Sequence, residues 1–157
     1  MRLTFVLLFC VSFVFSQTND SQIAYQYYQS AEYEKAIEIY KKLSKGSSFS
    51  QHYNSFFQCL ILSDNLTDAK KLVQKMIKKN SRSLIFQVDL YMVYVKMEEK
   101  INAEKTKDKI YSELSKNLYQ VVSVANNFVK YGFYQEALDC YTIVEKFNKD
   151  RNLYYNI

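Results

Sequence analysis

The chain is predicted to be an all-α array of stacked helical hairpins, and three observations carry that prediction. Four alanines, Ala36, Ala69, Ala103 and Ala137, are spaced 33, 34 and 34 residues apart, with the same order of large and small residues around each. A fixed period in this range marks a helical-repeat solenoid. Proline is absent and glycine occurs only at Gly46 and Gly132, too few turn residues for an all-β fold. Within each period the apolar residues fall three and four apart, which gathers them on one face of a helix. The chain has 157 residues, 48% of them hydrophobic, enough for a moderate core and too many for a disordered chain.

The N-terminus is a separate element. After Arg2, residues 3–15 are apolar except Thr4 and Ser12, and Val14-Phe15-Ser16 offers a cleavage site before Gln17. Residues 1–16 read as a cleavable signal peptide. The run is too short to span a bilayer, which takes about 20 residues, and the bulky Phe9 before Cys10 argues against lipid attachment. The chain is therefore expected to be secreted or periplasmic, cleaved near Ser16/Gln17, with no transmembrane span in the mature chain. Removing 1–16 takes away Arg2 and no acidic residue, so the formal charge falls from +5 to +4. Two cysteines then remain, Cys59 and Cys140. They lie two repeats apart, and packed helices are about 8–10 Å apart, beyond the roughly 7 Å limit for a disulfide. Both are expected to be free and buried.

Four units follow, at about 18–49, 50–83, 84–117 and 118–151, inside a repeat domain of 17–157. The expected helices are 18–30 with 33–45, 50–63 with 66–79, 84–97 with 100–115, and 117–131 with 134–148. Nine residues before each anchor alanine stand Tyr27, Leu60, Tyr94 and Phe128, all large; seven after it stand Leu43, Met76, Ile110 and Val144. Four after it stand Tyr40, Val73, Lys107 and Tyr141. The small anchor lets paired helices approach closely while large residues plug the space between pairs. Lys100 and Lys107 occupy normally apolar positions, so the helix at 100–115 is expected to be the loosest. Residues 152–157 read as the start of a further helix and leave an apolar end. Solenoids close on a polar face, so the chain is expected to continue into more repeats or to meet a partner there.

The stretch Ala31-Glu32-Tyr33-Glu34-Lys35-Ala36-Ile37-Glu38-Ile39-Tyr40, and its counterpart Gly132-Phe133-Tyr134-Gln135-Glu136-Ala137-Leu138-Asp139-Cys140-Tyr141, resemble the tetratricopeptide repeat, in the style of exported bacterial proteins. The resemblance covers about residues 18–149. It lacks the family's early tryptophan and its closing proline, whose place is taken by Ser48, Ser81, Ser115 and Lys149. The resemblance implies a right-handed superhelical solenoid whose first helices line a concave groove. Carried over position by position, that groove comprises Gln22, Tyr25, Tyr28 and Gln29 from the first unit and Asn54, Gln58 and Ile61 from the second. Asp89, Met92 and Lys96 come from the third, and Asn126, Val129 and Lys130 from the fourth. Amides and tyrosines suit an extended peptide. The positions that grip a C-terminal carboxylate in one subtype here hold Ser21, Tyr25, Ser55, Ile85 and Asp89, so chaperone-tail binding is not expected.

Chemistry is poorly supported. His52 is the sole histidine, leaving little for histidine-based zinc or triad sites; it reads as a surface or cap residue. Two glycines cannot build phosphate-binding loops. Carboxylates alternate with lysines as on solvated helix faces with i,i+4 pairs. The run Lys70, Lys71, Lys75, Lys78, Lys79 and Arg82 reads as a convex face, with weak contact to an anionic surface as the residual reading. Asn19-Asp20-Ser21 and Asn65-Leu66-Thr67 are chance matches to a glycosylation acceptor. The expected function is a non-catalytic scaffold for a protein or peptide, with no cofactor, metal or nucleic acid. The alternatives are an N-terminal sensory module of a longer signalling protein or an accessory region of an exported enzyme.

Overall fold

The computed structural model describes residues 20–155; the expected signal peptide at 1–16 lies outside them. Among the described residues there are eight α-helices and no strand: α1 (20–29), α2 (Tyr33–Leu43), α3 (Tyr53–Leu62), α4 (Leu66–Lys79), α5 (Ile85–Lys96), α6 (Lys100–Lys116), α7 (Val121–Lys130) and α8 (Tyr134–Tyr155). This is an all-α fold of the tetratricopeptide-repeat type. Two first helices start later than expected. Short 3-10 turns, Ser47–Gln51 and Leu118–Gln120, precede α3 and α7.

Every hairpin turns by the same device, set five residues before the anchor alanine. Ala31, Asp64, Glu98 and Gly132 all adopt positive φ, at 59°, 56°, 58° and 80°. The next residue's N–H then reaches back to the large residue nine before the anchor. Glu32 N donates to Tyr27 O, Asn65 N to Leu60 O, Glu99 N to Tyr94 O and Phe133 N to Phe128 O, at 2.8–3.0 Å. This is the Schellman closure, which satisfies the orphaned carbonyls of a helix C-terminus. The second helix then starts at once, and its first turn brings in the anchor alanines, all four of them buried.

The chain divides into two compact units, residues 1–69 and 70–157. In the first, Tyr40 stacks on Phe56 (centroids 5.7 Å apart) and Tyr53 on Phe57 (5.6 Å), around the fully buried Ala24, Ala36 and Leu60. Lys41 on α2 pairs with Asp68 at 2.8 Å. In the second, Val88, Ile110, Leu114, Val124 and Phe128 form a solvent-free centre. The Tyr91 ring meets Phe128 and Phe133 edge to face at 5.6 and 5.0 Å.

Three expectations need correction. The helix expected to be loosest, α6, runs unbroken and buries Ala103, Thr106, Ile110 and Leu114. The apolar stripe passes through Thr106, three after the anchor, so Lys107 stays at the edge and pairs with Glu104 at 2.8 Å. Residues 152–155 do not open a new helix. They continue α8 to Tyr155, because no glycine or proline interrupts the segment. Tyr141, assigned to the interior by its offset, is 42% exposed, as are its α8 neighbours Tyr134 and Leu138 to a greater degree. The corresponding Tyr40 is buried against the following hairpin, and no hairpin follows α8 among the described residues.

Candidate functional site

The residues assigned to a partner-binding groove lie on first helices, and each unit presents its own set. On α1, Gln22, Tyr25 and Gln29 are exposed. Their spacing of three and four puts them on one face, opposite Ala24, whose exposure is nil. Tyr28 is half-buried, its ring centroid 6.0 Å from Tyr25 and 6.3 Å from Tyr33. On α3, Asn54 is exposed while Gln58 and Ile61 are half-buried. Beneath this face the Tyr40 hydroxyl is buried and hydrogen-bonded with Ser55, and burial raises its pKa.

In the second unit, Lys96 on α5 and Asn126, Val129 and Lys130 on α7 are exposed. The Lys130 ammonium sits 4.9 Å from the centroid of Tyr131. Asp89 and Met92 do not belong to this surface: each is only 3% exposed. Helix α5 is apolar all round and buries seven consecutive residues, Gln87 to Val93, so a register counted from the anchor alanine cannot tell an open side from a covered one. Asp89 is an internal strut. Its Oδ1 accepts from Tyr131 OH at 2.6 Å and from Asn127 Nδ2 at 3.1 Å, and Asn127 Nδ2 also donates to Ile85 O at 3.2 Å. Burial, then the Asp89 charge, holds the Tyr131 phenol well above its usual range.

The signal for this strut was an acidic residue inside the apolar run 84–95, since a buried carboxylate requires donors; the identity of those donors had no local signature. A second polar network ties α5, α6 and α8. Tyr91 OH donates to Glu136 Oε1 at 2.7 Å, and Tyr111 OH lies 3.2 Å from Asp139 Oδ2. Both phenols are pushed up chiefly by burial.

The basic run is partly absorbed internally. Lys70 Nζ contacts Glu99 Oε1 at 3.0 Å and lies 5.5 Å from the Tyr94 centroid. Hydrogen bonds from Lys70 and Asn102 hold the Glu99 carboxyl below its usual pKa. Lys71, Lys75 and Lys79 also have partners. Within α6, ion pairs close at i,i+3, in Lys107–Glu104 and Lys116–Glu113.

His52 is half-buried at the start of α3, its ring 6.3 Å from that of Tyr40. Cys59 and Cys140 are free and buried. Burial pushes their thiols to about 11 and about 12, which suppresses the reactive thiolate. Among the described residues no group of three His, Cys, Asp or Glu side chains could hold a metal ion, and no helix is long and apolar enough to cross a membrane.

No protein-family model and no curated protein sequence matches the chain. Its fold is similar to that in the crystal structure of MamA, a tetratricopeptide-like helical repeat protein. The match has a TM-score of 0.53 at 20% identity over 87% of this chain and 81% of that one.

Proposed function

We propose that the chain is a non-catalytic interaction scaffold that takes a peptide or protein partner on its first-helix faces. The observation that carries this reading is the face of α1, where Gln22, Tyr25 and Gln29 lie exposed along one side, Tyr25 at 51%. An exposed tyrosine flanked by amides offers broad apolar contact and hydrogen bonds to a backbone, at little entropic cost. The repeat-type fold supports the same reading, because such arrays present extended surfaces. Export, with cleavage between Ser16 and Gln17, is part of the proposal and rests on the apolar run at 3–15.

Panning a displayed peptide library against residues 17–157, then mapping selected peptides by amide chemical shifts, tests the surface. Shifts centred on Gln22, Tyr25 and Gln29, lost in a folded Gln22→Ala/Tyr25→Ala variant, are expected. Selected peptides that map elsewhere, or that bind the variant equally well, would refute it. Mass spectrometry of the chain recovered from a periplasmic or culture fraction should show Gln17 as its N-terminus. An intact Met1 in the cytosolic fraction alone would overturn the export reading.

A further inference from the structure

We propose that the second unit carries a separate site for a short aliphatic carboxylate, in a cavity of about 430 Å³ where the segments before α5 and before α7 meet α6. That volume lies within the range of small-molecule pockets. Its apolar walls are Ile77 and Leu84, and its cations are Arg82 and Lys109. Neither cation has a side-chain partner among the described residues, whereas the one carboxylate in the lining, Glu113, is neutralised by Lys116 at 2.9 Å. The lining therefore holds an unanswered positive charge.

A second observation points inward. Gln87 lines the cavity and is only 6% exposed, yet its side-chain amide has no partner among the described residues. Every fully buried side-chain nitrogen or oxygen among them is satisfied, so the Gln87 amide keeps its remaining access through the cavity it lines. A ligand able to donate and accept there can take the place of solvent at that amide. The other amide at the rim is already committed. Gln120 Oε1 accepts from Leu84 N and its Nε2 donates to Arg82 O, both at 2.9 Å, which fixes the backbone that carries Arg82. A planar guanidinium prefers a carboxylate, which it can bind with two parallel hydrogen bonds. The apolar walls select an aliphatic stem over a bare inorganic anion. Such a carboxylate is found on a small organic acid or at the C-terminus of a peptide.

The probes are 4-acetamidobutanoate, the peptide acetyl-Ala-Ala-Leu with a free C-terminus, and the same peptide amidated, each titrated into residues 17–157 and followed by amide chemical shifts. Saturable shifts of the Gln87 side-chain amide and of backbone amides at 82–87 and 117–120 are expected for the two acids and not for the amide. The tighter of the two acids identifies the source. Arg82→Gln/Lys109→Gln, both changes at the surface, should weaken binding at least tenfold with an unchanged circular dichroism spectrum. Gln87→Leu should weaken it while retaining the salt dependence that the two cations impose. Absence of saturation, equal binding of the amidated peptide, or full binding by the double variant would each overturn the proposal. None of these outcomes bears on the α1 surface.

Discussion

The Asp89 strut gives the sharpest test of how the second unit is held together. Asp89 is nearly sealed from water and accepts from Tyr131 OH at 2.6 Å and Asn127 Nδ2 at 3.1 Å, joining α5 to α7. Tyr131→Phe deletes one hydroxyl and leaves the carboxylate its amide partner. A hydrogen bond to a charged group contributes about 1.5–3 kcal/mol, so we expect that loss. Asp89→Ala takes the acceptor from the Tyr131 phenol and leaves the Asn127 amide only Ile85 O; breaking a buried network at its charged centre costs roughly 3–5 kcal/mol. Once Asp89 is gone the Tyr131 hydroxyl has lost its acceptor and keeps only the 3.4 Å contact from Lys130 Nζ, so removing it as well should cost little or recover stability. The double-mutant cycle, measured by urea unfolding followed at 222 nm, should therefore show a coupling of about 1.5–3 kcal/mol, the whole cost of Tyr131→Phe in the parent. Costs that add to within about 0.3 kcal/mol would show that the two residues act independently, and the strut would be refuted.

Three further outcomes follow from the same structure. Ala31 holds a left-handed conformation that Gly132 occupies without strain; Ala31→Gly should raise stability by about 0.5 kcal/mol and Gly132→Ala lower it by about 1 kcal/mol, readable as opposite shifts in the urea midpoint. Cys59 and Cys140 are sealed and their thiols raised to about 11 and about 12, so a thiol reagent at pH 8 should label both only when urea unfolds the chain; fast labelling of the folded protein would contradict their burial. At alkaline pH the unfolded thiol of Cys140, with an ordinary value of 9.0, loses its proton before the folded one near 12. Its contribution is thus intact below pH 9 and falls by about 1.4 kcal/mol per pH unit above it. The slope of stability between pH 9 and 11 should be shallower in Cys140→Ala, and an unchanged slope would sink the assignment.

The helical hairpins were legible because their causes are local. Alanines every 33 or 34 residues, apolar residues three and four apart, and the near absence of glycine and proline act within one or two turns of chain. Cys59 and Cys140, free and buried as expected, were legible because residues two repeats apart in a helical array are not expected within bridging distance. Of the residues assigned to the groove, Gln22, Tyr25, Gln29, Asn54, Lys96, Asn126, Val129 and Lys130 are exposed on first helices. Asp89 and Met92 were misplaced. Residue spacing fixes which side of a helix a side chain takes, but how many sides are covered depends on neighbours far away in sequence.

Tertiary structure alone decided the rest. The donors to Asp89 lie 38 and 42 residues away, and the cavity lined by Arg82, Gln87 and Lys109 draws on segments that meet only when α5, α6 and α7 pack. The sequence by itself determined the periodic helices and their closures, because backbone hydrogen bonding and hydrophobic periodicity are short-range. Which polar groups would find partners, and which would be left facing a cavity, was settled by the packing of whole helices.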